Sequence, residues 1–195
     1  VMVDSFRGGV AIWVNDLLNA DLYIAPPAIE DGVGLAVLRP ETLQALRATP
    51  GVAAVSTYQR ITVDLDGRPV QLLALDLAPA SQAGYRLLEG DPEAAWAAFH
   101  TGAAILISEP LAYRRGLRVG DALAVPTDRG MRRYPVAGVF LDYGSEHGRI
   151  LLHRSGYERD WNEPKVGSTA VYAAPGEQLT TLRERLQDRL GSIQP

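Results

Sequence analysis

The chain contains no cysteine. Disulfides, thiolate metal centres and cysteine nucleophiles are therefore excluded, while reducing and oxidising compartments both remain open. Lysine is nearly missing as well: Lys165 stands alone among the 19 basic residues, a pattern of GC-rich coding bias. The three histidines, His100, His147 and His153, form no HxH or HExxH spacing, so each reads as a surface or capping residue. No apolar run approaches the roughly 18 to 20 residues that a membrane-spanning helix needs. GVGLAVL and GAAILI are only of core-strand length. A basic excess is also lacking. The net charge is -4, which argues against a nucleic-acid surface. There is no GxGxxG, Walker A or GxSxG sequence, hence no phosphate cradle and no nucleophile elbow. These absences leave no catalytic, cofactor or metal residue to nominate, and the expectation is a protein that is not an enzyme.

What is present describes a folded α+β chain. Its 195 residues, 47% hydrophobic and 22% charged, are enough for one large domain or two small ones. Val3, Phe6, Val10, Trp13, Val14 and Leu17 recur at helical spacing, so the chain opens as an amphipathic helix with no capping residue before it. Gly8-Gly9 weakens that helix by about 1 kcal/mol per residue relative to alanine. Residues 21–25 read as a strand, and RPETLQALRATPG as a helix with Pro40 at its first position and Gly51 past its stop. VAAVSTYQRITVDLDGRPVQLLALDL is a hairpin turning at Asp66-Gly67. Asp91 caps a helix over PEAAWAAFH, GAAILIS is a buried strand, and Ser108 caps a short helix that ends at Gly116. Short strands follow around Gly120-Asp121 and Asp128-Arg129-Gly130, then the strand GRILLHR, the helix RSGYERDW, the strand STAVYAAP and a closing helix. Leu179, Leu182, Leu186 and Leu190 line one face of that last helix.

DYGSEHG, residues 142–148, holds Asp142, Glu146 and His147, all possible cation ligands. Turn chemistry accounts for the same residues in a loop between two strands. A Ser145-His147-Asp142 triad fails because residues so close in one loop cannot set nucleophile, base and orienter in line.

One stretch carries more information: ILISEPLAYRRGLRVGDALAVPTDRGMRRYPVAGVFLDYGSEHGRILLHRSGY. The order Ile107-Ser108, Gly116-Leu117, Val119-Gly120-Asp121, Leu123 and then Tyr134-Pro135-Val136-Ala137-Gly138-Val139 resembles the extracytoplasmic domain of FtsX-like ABC transporter permeases, the MacB-like periplasmic core domain. Ser5-Phe6-Arg7 with Trp13 and the segment Ala20 to Ile24 resembles the exit of a first transmembrane helix, and Pro50-Gly51-Val52 the family's entry from helix to strand.

The resemblance implies a porter-like βαββ lobe completed by a C-terminal strand and helix, with an inserted small β-rich (Sabre-like) lobe. Residues 1–102 and 163–195 would form the first lobe with its membrane-proximal helices, and residues 103–162 the second. It implies that Val1 is not a natural start and that transmembrane spans flank the fragment. It further implies a full-length protein in the cell membrane with this domain on the periplasmic side, a cytoplasmic ATPase subunit as partner, and no cofactor. The role implied is to couple transmembrane-helix motion to handling of a lipid, lipoprotein or hydrophobic export substrate, or to a partner protein. Tyr143, Glu146, His147 and Trp161 are the expected partner-facing residues, on the ground that loops on a rigid scaffold carry binding. The rival reading is a stand-alone soluble ligand-binding module with an inter-lobe pocket.

Overall fold

The computed structural model describes residues 20–24, 38–145, 147–162 and 164–191. The expected opening helix and Glu146 lie outside these described residues. Nine strands and six helices follow in order: β1 (Leu22–Ile24), α1 (Pro40–Arg47), β2 (Val52–Asp64), β3 (Pro69–Asp76), α2 (Pro79–Gln82), β4 (Leu87–Glu89), α3 (Pro92–His100), β5 (Ile105–Ser108), α4 (Glu109–Arg115), β6 (Ala122–Thr127), β7 (Gly130–Phe140), β8 (Arg149–His153), α5 (Arg154–Asp160), β9 (Ser168–Ala173) and α6 (Leu179–Gly191).

Local chemistry explains most of these boundaries. Pro40 and Pro92 open α1 and α3 with their φ already helical. The Asp91 carboxylate accepts from the Ala94 N–H at 2.9 Å, as a capping residue should. The β2–β3 turn places Asp66 at φ 56° and Gly67 at φ 77°, the left-handed pair that a two-residue hairpin requires. Ser108 departs from its expected role. It stands at the start of α4, but its hydroxyl makes no capping bond there. Instead it accepts from the Arg149 N–H at 2.8 Å, tying the end of β5 to the start of β8.

The sheet runs β1-β9-β2-β3-β8-β5-β7-β4, with β6 paired to β7 beside this path. β1, α1, β2 and β3 form the βαββ unit, and β9 enters between β1 and β2, antiparallel to both. The C-terminal strand and helix thus complete the first sheet, as expected. β3 pairs in parallel with β8 over Gln71 to Leu75, and this ladder joins the first unit to the strands of the expected insert. The pairing also draws residues 87–100 toward that insert. β4 lies on β7, and Phe99 of α3 shares a core with Leu106, Phe140 and Leu151.

Alternation along β3 separates two cores. Val70, Leu72 and Ala74 pack with Tyr157 and Trp161 of the α5 region, and Leu75 and Leu77 with α3 on the opposite side. A third core holds Leu46 of α1, Val171 of β9, and Leu182 and Leu186 of α6. Each fully buried leucine there contributes about 1.5–3 kcal/mol. Leu190 packs at the edge of this core, but Leu179, at the first position of α6, is 44% exposed and does not share the buried face expected of it.

Candidate partner-facing surface and groove

Loop 141–148 is anchored from beneath. Asp142 is buried, and its Oδ1 accepts from Arg149 Nη1 at 3.1 Å and from the Gly144 N–H at 2.9 Å. Arg149 also donates to the Gly144 carbonyl and the Gln71 side chain. The acid that reads in the sequence as a possible cation ligand is therefore half of an internal ion pair that shapes the turn. Tyr143 is 50% exposed and His147 is exposed, beside a shallow recess of about 340 Å³ lined in part by Thr62, Gln71 and Ser145.

Trp161 is not on this surface. Its expected exposure is overturned: the side chain is buried, with its ring 5.2 Å from that of Tyr157 in the core that also holds Val125 and Tyr134. The reason is the helix before it. α5 places Tyr157 and Trp161 one turn apart on the face that meets β3 and β6. The apolar helical pattern around Trp161 fits core packing as well as a partner-facing role, and the side chain follows the former.

A second concavity, of about 620 Å³, separates α1 from α5. Leu38, Leu43 and Val166 supply apolar floor, and Arg39, Arg47, Arg154 and Lys165 stand around it. Asp76, at the end of β3, receives Arg47 Nη2 at 3.0 Å and faces His153 Nε2 at 3.8 Å. The polar contact with His153 leads the effects that hold the Asp76 carboxyl below its usual range; partial burial opposes it, and Arg47 adds to it. Four separate segments meet here and none bears a motif, so the groove has no signature in the sequence.

Beside the groove, the His100 and His153 rings lie 5.4 Å apart, with Phe99 edge-on to both and Gln82 2.9 Å from His100 Nε2. Burial, followed by the neighbouring imidazole of His153, pushes His100 below the ordinary histidine value; Asp76 pulls weakly the other way. A histidine depressed in the fold contributes stability that is full above its unfolded value near 6.5 and is lost as pH falls. His100→Gln should therefore flatten the loss of melting temperature between about pH 7 and about pH 5. Melts of both proteins across that range check this, and parallel slopes would refute it.

Three comparisons bear on what this fold is. The MacB-like periplasmic core domain family matches residues 2–189, nearly the whole chain. The chain belongs to this family. It is the extracytoplasmic domain of an FtsX-like ABC transporter permease. The uncharacterized ABC transporter permease protein Rv0987 of Mycobacterium tuberculosis is 30% identical over 192 residues, which is 96% of this chain and 22% of that protein. The chain thus spans about a fifth of that relative's length. Among solved structures, the periplasmic region of MacB from Actinobacillus actinomycetemcomitans superposes with a TM-score of 0.62 at 11% identity, covering 88% of this chain and 82% of that one. The extracellular domain of the ABC-type transporter YknZ from Gram-positive bacteria gives 0.55 at 14% identity, covering 87% and 93%. At such identities the likeness is one of fold. Among the described residues of this MacB-like domain, no helix is long and apolar enough to cross a membrane.

Proposed function

We propose that this periplasmic domain is a non-catalytic mechanical relay. The transmembrane part of the permease, driven by a cytoplasmic ATPase subunit, moves the domain's membrane-proximal elements, and the domain converts that motion into the gripping, release or hand-over of a lipid, lipoprotein or hydrophobic export substrate, or into a signal to a partner protein. Two lobes would move against each other, the porter-like one built on β1, α1, β2, β9 and α6, and the inserted β-rich one. The partner would meet the surface around Tyr143 and His147.

The observation that carries this reading is the shared core at one end of the sheet. β1 and α6 are far apart in sequence, yet Leu22, Ile24, Leu182 and Leu186 pack into one cluster with α1. Force applied to either element enters the same rigid body. It then crosses β9, β2 and β3 to reach the insert through the five-residue β3–β8 ladder. Motion of one lobe against the other would therefore bend the sheet at this ladder.

The absence of cysteine in this stretch makes the test direct. Spin labels placed at Tyr113, 88% exposed on α4, and Leu179, on α6, report the separation of the two lobes in the full-length permease with its ATPase. The distance distribution should shift between nucleotide-free, ATP-bound and vanadate-trapped states. Superimposable distributions in all three would end the relay reading.

A further inference from the structure

The groove between α1 and α5 combines two properties that select a ligand. Its floor is apolar, through Leu38, Leu43 and Val166. Its rim is cationic beyond what its own acids neutralise. Arg47 is engaged by Asp76 at 3.0 Å and Arg154 by Glu158 at 2.7 Å. Arg39 and Lys165 are both exposed and, among the described residues, neither side chain has a hydrogen-bond or ion-pair partner. The surplus is two positive charges in a chain whose net charge is -4. The lone lysine of the chain is one of the two. A volume of about 620 Å³ is that of a small-molecule site.

We propose that this groove binds an anionic amphiphile: a carboxylate or phosphate head held between Arg39 and Lys165, with a single acyl chain laid over Leu38, Leu43 and Val166. A neutral apolar molecule would leave the cations unused, a cationic one would be repelled, and a small anion would leave the floor wet. Because α1 packs into the core with α6 while α5 packs into the core with β3 and β6, such a ligand bridges the two ends of the sheet. This site is separate from the relay reading and stands or falls without it.

Lys165 makes the test specific, since it is the one side-chain amine in the chain. Its labelling by an amine-selective reagent is followed by peptide mass spectrometry, below the micelle concentration of each probe, with laurate, dodecyl phosphate, dodecanol, dodecyltrimethylammonium, acetate and inorganic phosphate. Laurate or dodecyl phosphate should slow labelling, and the stronger of the two identifies the head group. The other four probes should leave it unchanged. Calorimetric titration with the stronger probe should show affinity weakened about tenfold or more in Arg39→Gln and in Lys165→Gln, the loss expected for one charge-assisted bond. Both residues are exposed, so both variants should melt with the parent. Protection by neither anionic amphiphile, equal protection by dodecanol or the cationic surfactant, equal protection by acetate or phosphate, or unchanged affinity in both variants would overturn the proposal.

Discussion

Gly156→Ala is expected to destabilise the domain by about 2–3 kcal/mol, at the upper end of what overpacking costs, although alanine is the better helix former by about 1 kcal/mol. For a domain of this size the melting temperature should fall by about 5–10 °C. The cause is a contact between two glycines. A β-carbon on Gly156, in the first turn of α5, would strike the Gly102 carbonyl oxygen and come within 2.8 Å of Leu152 Cδ1. The obstacle is backbone, so it cannot rotate aside. Gly102 is equally confined, because at φ 68° its own β-carbon would lie 2.7 Å from the Gly156 nitrogen. To make room, α5 must lift from the loop after α3, stretching the 3.0 Å bond from Arg159 Nη2 to the Gly102 carbonyl and loosening Tyr157 and Trp161 in the core. Gly67→Ala is the matched control. Unlike helical Gly156 it has positive φ, and it has nothing within 4 Å, so only backbone strain applies and the loss should stay near 1 kcal/mol. Equal losses in the two variants, measured by urea titration, would refute the steric account.

Asp160→Ala should cost about 3 kcal/mol, the penalty for removing one member of a buried charged network. Asp160 closes α5 and is only 4% exposed. Its carboxylate accepts from the buried Tyr134 hydroxyl, from Arg159 Nε at 3.0 Å and from Arg159 Nη2 at 2.5 Å, with Arg132 Nε at 3.6 Å. Without it the Tyr134 hydroxyl, on a residue 1% exposed, loses its acceptor. Burial alone would raise the carboxyl's pKa, but the bonds from Arg159 and Tyr134 outweigh it and hold it below the usual carboxylate range. A depressed carboxylate stabilises fully above its unfolded value near 4 and loses that contribution as pH falls through the folded one. Parent and variant should therefore differ most at neutral pH and converge in acid. Tyr134→Phe removes one of several donors to the same carboxylate and should cost about 1 kcal/mol. A gap between parent and Asp160→Ala that does not narrow below about pH 4 would refute this assignment of the network.

The parts of the fold that are legible in the sequence are those set by neighbours in the chain. Asp91 before Pro92, Asp66-Gly67 between alternating strands, and Gly116 after α4 each fix a boundary through local backbone chemistry. Residues 77–90 were opaque because α2 has four residues and β4 three, too few for any period to show. Ser108 misled because its cap position is local while its hydrogen-bond partner, Arg149, is 41 residues away. The family was legible from the order of turns and strands. The surface was legible only in part: Tyr143 and His147 lie outside, Trp161 lies inside, and the groove draws on residues as distant as Leu38 and Val166, whose backbones meet at 2.8 Å.

The place of β9 also sets the order in which the chain can fold. Residues 168–173 leave the ribosome after every other described strand, yet they form the strand between β1 and β2. Until they arrive, β1 has no neighbour among the described strands, and β2 presents a bare edge from Val52 to Tyr58. α6, whose Leu182 and Leu186 close the core beneath that edge, comes later still. The β3–β8 half can assemble before β9 is made, whereas the half that holds β1 and β2 must wait for β9, with an unpaired edge open to wrong partners meanwhile. A nascent chain stalled before residue 168 would therefore hold a half-built sheet and be the species most in need of a chaperone.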